Sequence, residues 1–290
     1  MHPAPSVIIF SVLSGLGFGL LAYLGAGLIT PAGWGAFLWW GLGYGLAIVG
    51  LMAATAHLGN PKNALKAFSQ WRTSWLSREA WAAVASLVVL APVALSDWLG
   101  LGWPRGTGYL GAALSLFTVF TTSMIYTQIK AVPRWNHPIN PAMFLAFALT
   151  GGAVLARQGW AVYALLGLGV LLIFVWKIGD RQFTKRAQTM GTATGLGDIG
   201  EVTVFEQPHT GGNYLMREMI YVVGRKHAQK LRGIALLLVS IVPATILAIL
   251  PLNLWVMALA AICQMIGAFA ARWLFFAEAE HVVGLYYGAR

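Results

Sequence analysis

The sequence predicts an all-α, polytopic membrane protein: one bundle of eight transmembrane helices, with a cytoplasmic arm between the sixth and the seventh. Three observations predict it. Of the 290 residues, 58% are hydrophobic and only 10% charged, with a mean hydropathy of +0.71. A water-covered domain carries roughly 25% charged residues, so lipid must cover what charge cannot. Eight apolar stretches approach the roughly 20 residues that a helix needs to cross ~30 Å of hydrocarbon. Finally, the basic residues fall almost entirely on one side of those stretches.

The stretches cover about 6–28, 34–57, 79–101, 107–129, 139–157, 159–178, 232–250 and 253–276. The first has no positively charged start and its apolar run is too long for a signal peptide, so it reads as a span. Gly15, Gly17 and Gly19 in the first, and Gly41, Gly43 and Gly45 in the second, suit close helix packing. Pro92 and Pro243 fall inside spans and predict kinks. With eight crossings, seventeen of the nineteen Lys and Arg lie on one face and only Arg105 and Arg157 on the other. By the positive-inside rule the basic face, with both termini, is cytoplasmic, which implies a multi-pass protein of a bacterial inner membrane. The net charge of +10 is explained by orientation in lipid rather than by nucleic acid.

The chain reads as a single membrane domain, 1–290, whose one extramembrane segment is the arm at 180–231. Its glycine-rich part contains Gly195-Leu196-Gly197-Asp198-Ile199-Gly200. That pattern matches a dinucleotide fingerprint, but no strand precedes it, so a loop is expected. Beyond it, Leu215, Met219, Val222 and Val223 recur at helical spacing among charges. This predicts an amphipathic helix, either lying on lipid headgroups or docking a partner. Its candidate docking residues are Arg217, Arg225, Lys226 and His209.

Polar residues at membrane depth call for an explanation. The second span ends ATAHLGNPKNALKAF and the third begins SREAW. His57 and Glu79 therefore share a leaflet, with Ser77, Arg78 and the aromatic connection carrying Trp71. The fourth span brings Tyr126 and Gln128 to the same leaflet, and the eighth brings Arg272, Glu278, Glu280 and His281. A quinone suits such a place. Its two carbonyls need donors, its reduction moves two protons with two electrons, and its tail needs an apolar groove. The alternative is that these are interfacial residues in contact with water and headgroups. Haem is not expected, because bis-histidine ligation needs a second histidine facing His57 from another helix. Cys263, the lone cysteine, holds no cluster or metal site, so no metal ligands and no catalytic residues are assigned to this chain.

The segments AHLGNPKNALKAF, SREAW, YTQIKAVPRWNHPINPAMFLAF and GAFAARWLFF together resemble the membrane anchor subunit of the dimethyl sulfoxide reductase family, over most of the chain outside 185–231. The resemblance implies an eight-helix anchor that binds a quinone (ubiquinone or menaquinone) and no haem. It implies partners too: a four-cluster iron–sulfur subunit and a molybdopterin catalytic subunit. The anchor would then be an oxidoreductase subunit without the catalytic centre. It places the family's quinone-site histidine on His57, its acidic partner on Glu79 and a tyrosine on Tyr126. The arm departs from the reductase pattern and looks like the branch serving cytoplasmic sulfite dehydrogenases, in which electrons run from sulfite to quinone. A reductase-type anchor with the reverse flow, and a membrane transporter, are the alternatives.

Overall fold

The computed structural model describes residues 1–56, 60–206, 211, 213–220 and 227–287. Among these residues the regular structure is helical throughout, without a strand. Seven helices are long and apolar enough to cross a membrane: α1 (Pro5–Gly25), α2 (Gly33–Thr55), α3 (Trp75–Leu99), α4 (Gly106–Thr127), α6 (Ala161–Lys185), a continuous helix Ala228–Ile249, and α11 (Leu254–Ala277). The continuous helix consists of α9 (Ala228–Leu236), a π-helical turn Leu237–Ile241 and α10 (Val242–Ile249).

The fifth expected stretch, 139–157, forms the shorter α5 (Ile139–Leu155), 17 residues long. At 1.5 Å per residue it falls short of a ~30 Å core. It is also strongly enclosed: Phe144, Ala148, Ala153 and Val154 are almost wholly buried. A helix sheathed by its neighbours need not match the lipid thickness. By contrast, α6 runs past its expected end at 178 to Lys185.

The centre of the bundle is α1, which packs on α2, α4, α5 and α11. Phe18, Leu20, Leu21 and Leu24 on it are at most 1% exposed. Lipid is as apolar as leucine, so helices in it associate through close contact rather than through hydrophobic exclusion. Gly17 lies against the backbone of Ala47 and Gly43, and Gly50 against the backbone of Ser14. Only part of the predicted glycine face takes part. Gly15, Gly41 and Gly45 border open space, because residues two apart on a helix point to nearly opposite sides. Trp34, Leu38, Met52, Tyr163 and Trp255 project outward from the bundle, each more than 60% exposed. An apolar surface of this extent belongs against lipid.

Pro92 sits inside α3, which continues through it. At Pro243 the preceding turn widens to π geometry. This relieves the clash between the proline ring and the carbonyl four residues earlier. At the end opposite the termini, Asp97 accepts from Arg105 Nη2 (2.7 Å) and from Trp40 Nε1 (3.1 Å), joining α2, α3 and the start of α4.

The arm holds two short helices, α7 (Met190–Thr194) and α8 (Tyr214–Glu218). The fingerprint-like glycines form a turn: Gly195, at φ +70°, ends α7. Among the described residues the predicted amphipathic helix appears as α8, with Leu215 and Met219 partly buried. Val222 and Val223 lie outside the described residues. The arm rests on both chain ends: Glu218 O accepts from His2 N (2.7 Å), Ala193 O from the Tyr286 hydroxyl (3.1 Å), and Tyr287 Oη bonds Asn213 Nδ2 (3.0 Å).

A side chain at Gly50 would meet a neighbouring backbone that cannot give way. Gly50→Leu should therefore destabilise the detergent-solubilised protein by roughly 1–3 kcal/mol, whereas Gly41→Leu should be nearly neutral. Thermal unfolding of the two variants measures the contrast.

Candidate functional site

The site begins with the connection between α2 and α3. Asn60 Oδ1 accepts from Lys62 N (3.2 Å) and starts a 3-10 turn, Pro61–Phe68. Two side chains of α3 hold that connection down. Arg78 donates through Nε to Trp71 O (3.0 Å) and through Nη2 to Arg72 O (2.7 Å), with its guanidinium 4.3 Å over the Trp75 ring. Trp81 Nε1 donates to Phe68 O (3.0 Å). Between them lies an open groove of about 620 Å³, lined by Phe68, Trp71, Arg78, Trp81, Leu114 and Phe117. It is apolar apart from the Arg78 head.

The other face of the same helical turn points into the bundle. Ser77 is 2% exposed and its hydroxyl accepts from Gln70 N (3.3 Å). Glu79 is 3% exposed and accepts a hydrogen bond from the Thr122 hydroxyl on α4. One turn on, Tyr126 is enclosed by Trp135, Phe144, Phe275 and Phe276, with ring centroids 5.4–6.0 Å away. Arg272, on α11, is 3% exposed and lies 3.5 Å over the Phe144 ring.

The sequence-predicted residues thus divide about α3. Glu79 and Tyr126 come together inside the bundle, Ser77 packs inward above them, and Trp71 and Arg78 line the outer groove. His57 lies outside the described residues, one position beyond Ala56, the C-cap of α2. Of the docking candidates, Arg217 is exposed on α8, while His209, Arg225 and Lys226 also lie outside the described residues.

The sequence reading missed two features. Thr122 has no signature of its own; a threonine one turn before Tyr126 becomes a partner only when α3 and α4 pack. The second is a ring of charges at the same end of the bundle. Arg134 bonds Asp180 (2.8 Å) and Glu278 (2.6 Å), and Arg232 bonds the same two carboxylates (2.6 and 2.7 Å). The ring encloses a cavity of about 160 Å³ and ties the α4–α5 loop, α6, α9 and the end of α11 together. Asp180, a lone carboxylate among Lys177, Arg181, Lys185 and Arg186, was the available signal. Close by, the N-terminal ammonium donates to Ala279 O (2.7 Å), so both chain ends sit at this end of the bundle.

Two histidines stand at its margin. Burial holds the His281 imidazole below its ordinary value, and the N-terminal ammonium adds to this. His137 is lowered by burial and then by Lys185 and Arg186. Each accepts a backbone amide at Nδ1, His281 from Val283 (3.0 Å) and His137 from Ile139 (3.2 Å). Only an imidazole unprotonated at that nitrogen accepts this bond.

With this geometry in place, comparison with known proteins is informative. The family model described as "DMSO reductase anchor subunit (DmsC)" matches residues 5–277. The chain belongs to that family, and is a membrane anchor subunit of an oxidoreductase complex. It is 30% identical to a sulfite dehydrogenase subunit from Allochromatium vinosum, over 99% of each chain. No solved structure matches it.

Two outcomes are expected. Removing Glu278 leaves two largely buried guanidiniums sharing Asp180, so Glu278→Gln should cost roughly 3 kcal/mol, toward the low end for a broken buried pair; Asp180, about half exposed, should matter less. Thermal unfolding of the two variants checks this. Lowered histidine values mean that an opened segment binds a proton which the packed one resists. Local stability should therefore be full above the ordinary value of about 6.5 and fall as pH drops through it. Hydrogen exchange at Ile139 and Val283, corrected for intrinsic rates, should speed up between pH 7 and 5.5.

Proposed function

We propose that this chain is the quinone-reactive anchor of a molybdopterin/iron–sulfur oxidoreductase, and that it passes electrons from sulfite oxidation into the quinone pool. The observation that carries the reading is Glu79: a carboxylate buried at membrane depth, held by Thr122 and beside Tyr126, on the helical turn whose outer side forms an apolar groove. An ionisable group so placed is a functional-site residue by default. The outer groove is apolar enough for an isoprenoid tail, and Arg78 and Trp71 mark its polar rim.

In this reading a quinone head sits near His57 and Glu79. Two electrons arrive from an iron–sulfur subunit docked on the basic face, which in turn takes them from a molybdopterin catalytic subunit. The quinone takes two protons as it becomes quinol. His57, through its imidazole, and Glu79, backed by the Thr122 hydroxyl, relay them. The basic face is cytoplasmic under the positive-inside rule, in a bacterial inner membrane. Eight crossings then require α5 to span, at the lower limit of 17 residues. Both chain ends on one side of the bundle agree with an even count. The arm at 180–231, which carries exposed Arg217 and whose sequence also holds Arg225, Lys226 and His209, clamps the iron–sulfur partner. Similarity to a sulfite dehydrogenase subunit over the whole chain favours sulfite oxidation over a reductase direction. Ionisable residues gathered at one end rather than at the midplane speak against a transporter.

His57→Arg and Glu79→Gln should each lower quinone-dependent sulfite oxidation in membranes at least tenfold, while oxidation with an artificial soluble acceptor stays within twofold. An unchanged quinone-linked rate in both variants would sink the reading.

A further inference from the structure

Arg272 is a second, separate anomaly. It is buried on α11 near membrane depth, and among the described residues its Nη1 has no hydrogen-bond partner and the guanidinium has no carboxylate partner. The rings of Phe144 and Phe147 lie 3.5 and 5.0 Å from its Cζ, a contact that stabilises a cation without satisfying its N–H donors. A buried charge with an open donor is costly. Arg272 borders a small cavity of about 20 Å³ together with Ser11, Gly15, Phe147, Gly151 and Gln264. Gln264, 4% exposed, sits two helical turns from Arg272 on the same face of α11. Gly15 also lines the cavity, and a Cβ there would meet nothing within 4 Å, so a side chain at this position has room to enter.

That cavity adjoins a much larger one. Leu16 and Met265 line both it and an apolar groove of about 490 Å³, walled by Trp39, Leu42 and Leu46 of α2 and by Met257 and Ala261 of α11. Both helices pack on α1, and the groove lies between them, open to lipid. A groove for an apolar molecule thus ends on two polar side chains in the interior of the bundle.

The dimensions choose the occupant. About 20 Å³ admits one oxygen-sized group, little more than a water. A carbonyl oxygen fits; a phosphate with its four oxygens does not. Gln264 lies near the middle of α11, beyond the reach of lipid headgroups, where a free carboxylate is also disfavoured. We infer that the α2–α11 groove is a second quinone site, in which one head-group carbonyl enters the small cavity to accept from Arg272 and Gln264 and the isoprenoid tail lies along the groove. The inference rests on quinone being the lipid-soluble reactant, and it places a site apart from the Trp71 groove, which α3 and α4 line. Phe144 packs on Tyr126 on one side and lies under Arg272 on the other.

The test uses the intact complex purified from membranes and a photoreactive azidoquinone, with labelled peptides mapped by mass spectrometry. Label is expected on α2 around Trp39–Leu46 and on α11 around Leu254–Met265, as well as on residues 60–85. Arg272→Met should lower the α2 and α11 label at least fivefold and leave the 60–85 label unchanged. Gly15→Val, which fills the cavity from a position with free space and leaves the charge in place, should do the same. Excess unlabelled decyl-quinone should compete at both places, and oleate at neither. Label confined to 60–85, label on α2 and α11 undiminished in both variants, or displacement there by oleate as readily as by quinone would each overturn the inference while leaving the proposed function standing. No label anywhere on the chain would instead bring down the proposed function, and this inference with it.

Discussion

The structure depends on the close approach of helices to α1. In lipid, neighbouring helices gain nothing by hiding apolar surface from one another, so contact at backbone distance must hold the bundle together. Gly17 and Gly50 give α1 and α2 that contact, and Gly19 sets α5 against α1 at Ala148 and Gly152. With α1 fixed as the spine, α4 and α11 also pack on it. This brings Tyr126 and Arg272, far apart in the sequence, to the two sides of Phe144. The site residues are carried by helices whose positions α1 decides.

Polar groups reinforce that arrangement where lipid gives way to the interface. At one end Asp97 gathers Arg105 and Trp40. At the other, Arg134, Asp180, Arg232 and Glu278 close a ring through four separate elements. Each carboxylate meets two guanidiniums, so no charge in the ring lacks an opposite partner. Such a ring is a stiff platform at the end where the chain termini and the arm also meet.

The division of labour on α3 follows from helical geometry. Arg78 and Trp81, three residues apart, share the groove side of the helix, while Glu79, about 100° round from Arg78, faces Thr122 on α4. A single turn therefore presents a buried carboxyl group on one side and an anchored aromatic wall on another. The loop pinned by Arg78 and Trp81 closes the groove from above, and Thr122 fixes the orientation of Glu79 from α4. The same geometry splits the glycines of α1 and α2 into those that touch a helix and those that face open space.

The sequence by itself determined the membrane class and the position of seven long apolar helices, and it marked Glu79 and Tyr126 as candidates. These follow from hydropathy and from the cost of placing an ionisable residue in an apolar run, both of which are local properties. The length of α5 was not legible, because its shortness is tolerated only through its enclosure by neighbours. Nor were the Thr122 bond, the charge ring, or the small cavity at Arg272 beside an open groove. Each of these joins residues tens to hundreds of positions apart. Their distances are set by how α1 gathers the other helices, which the spacing along a single helix does not encode.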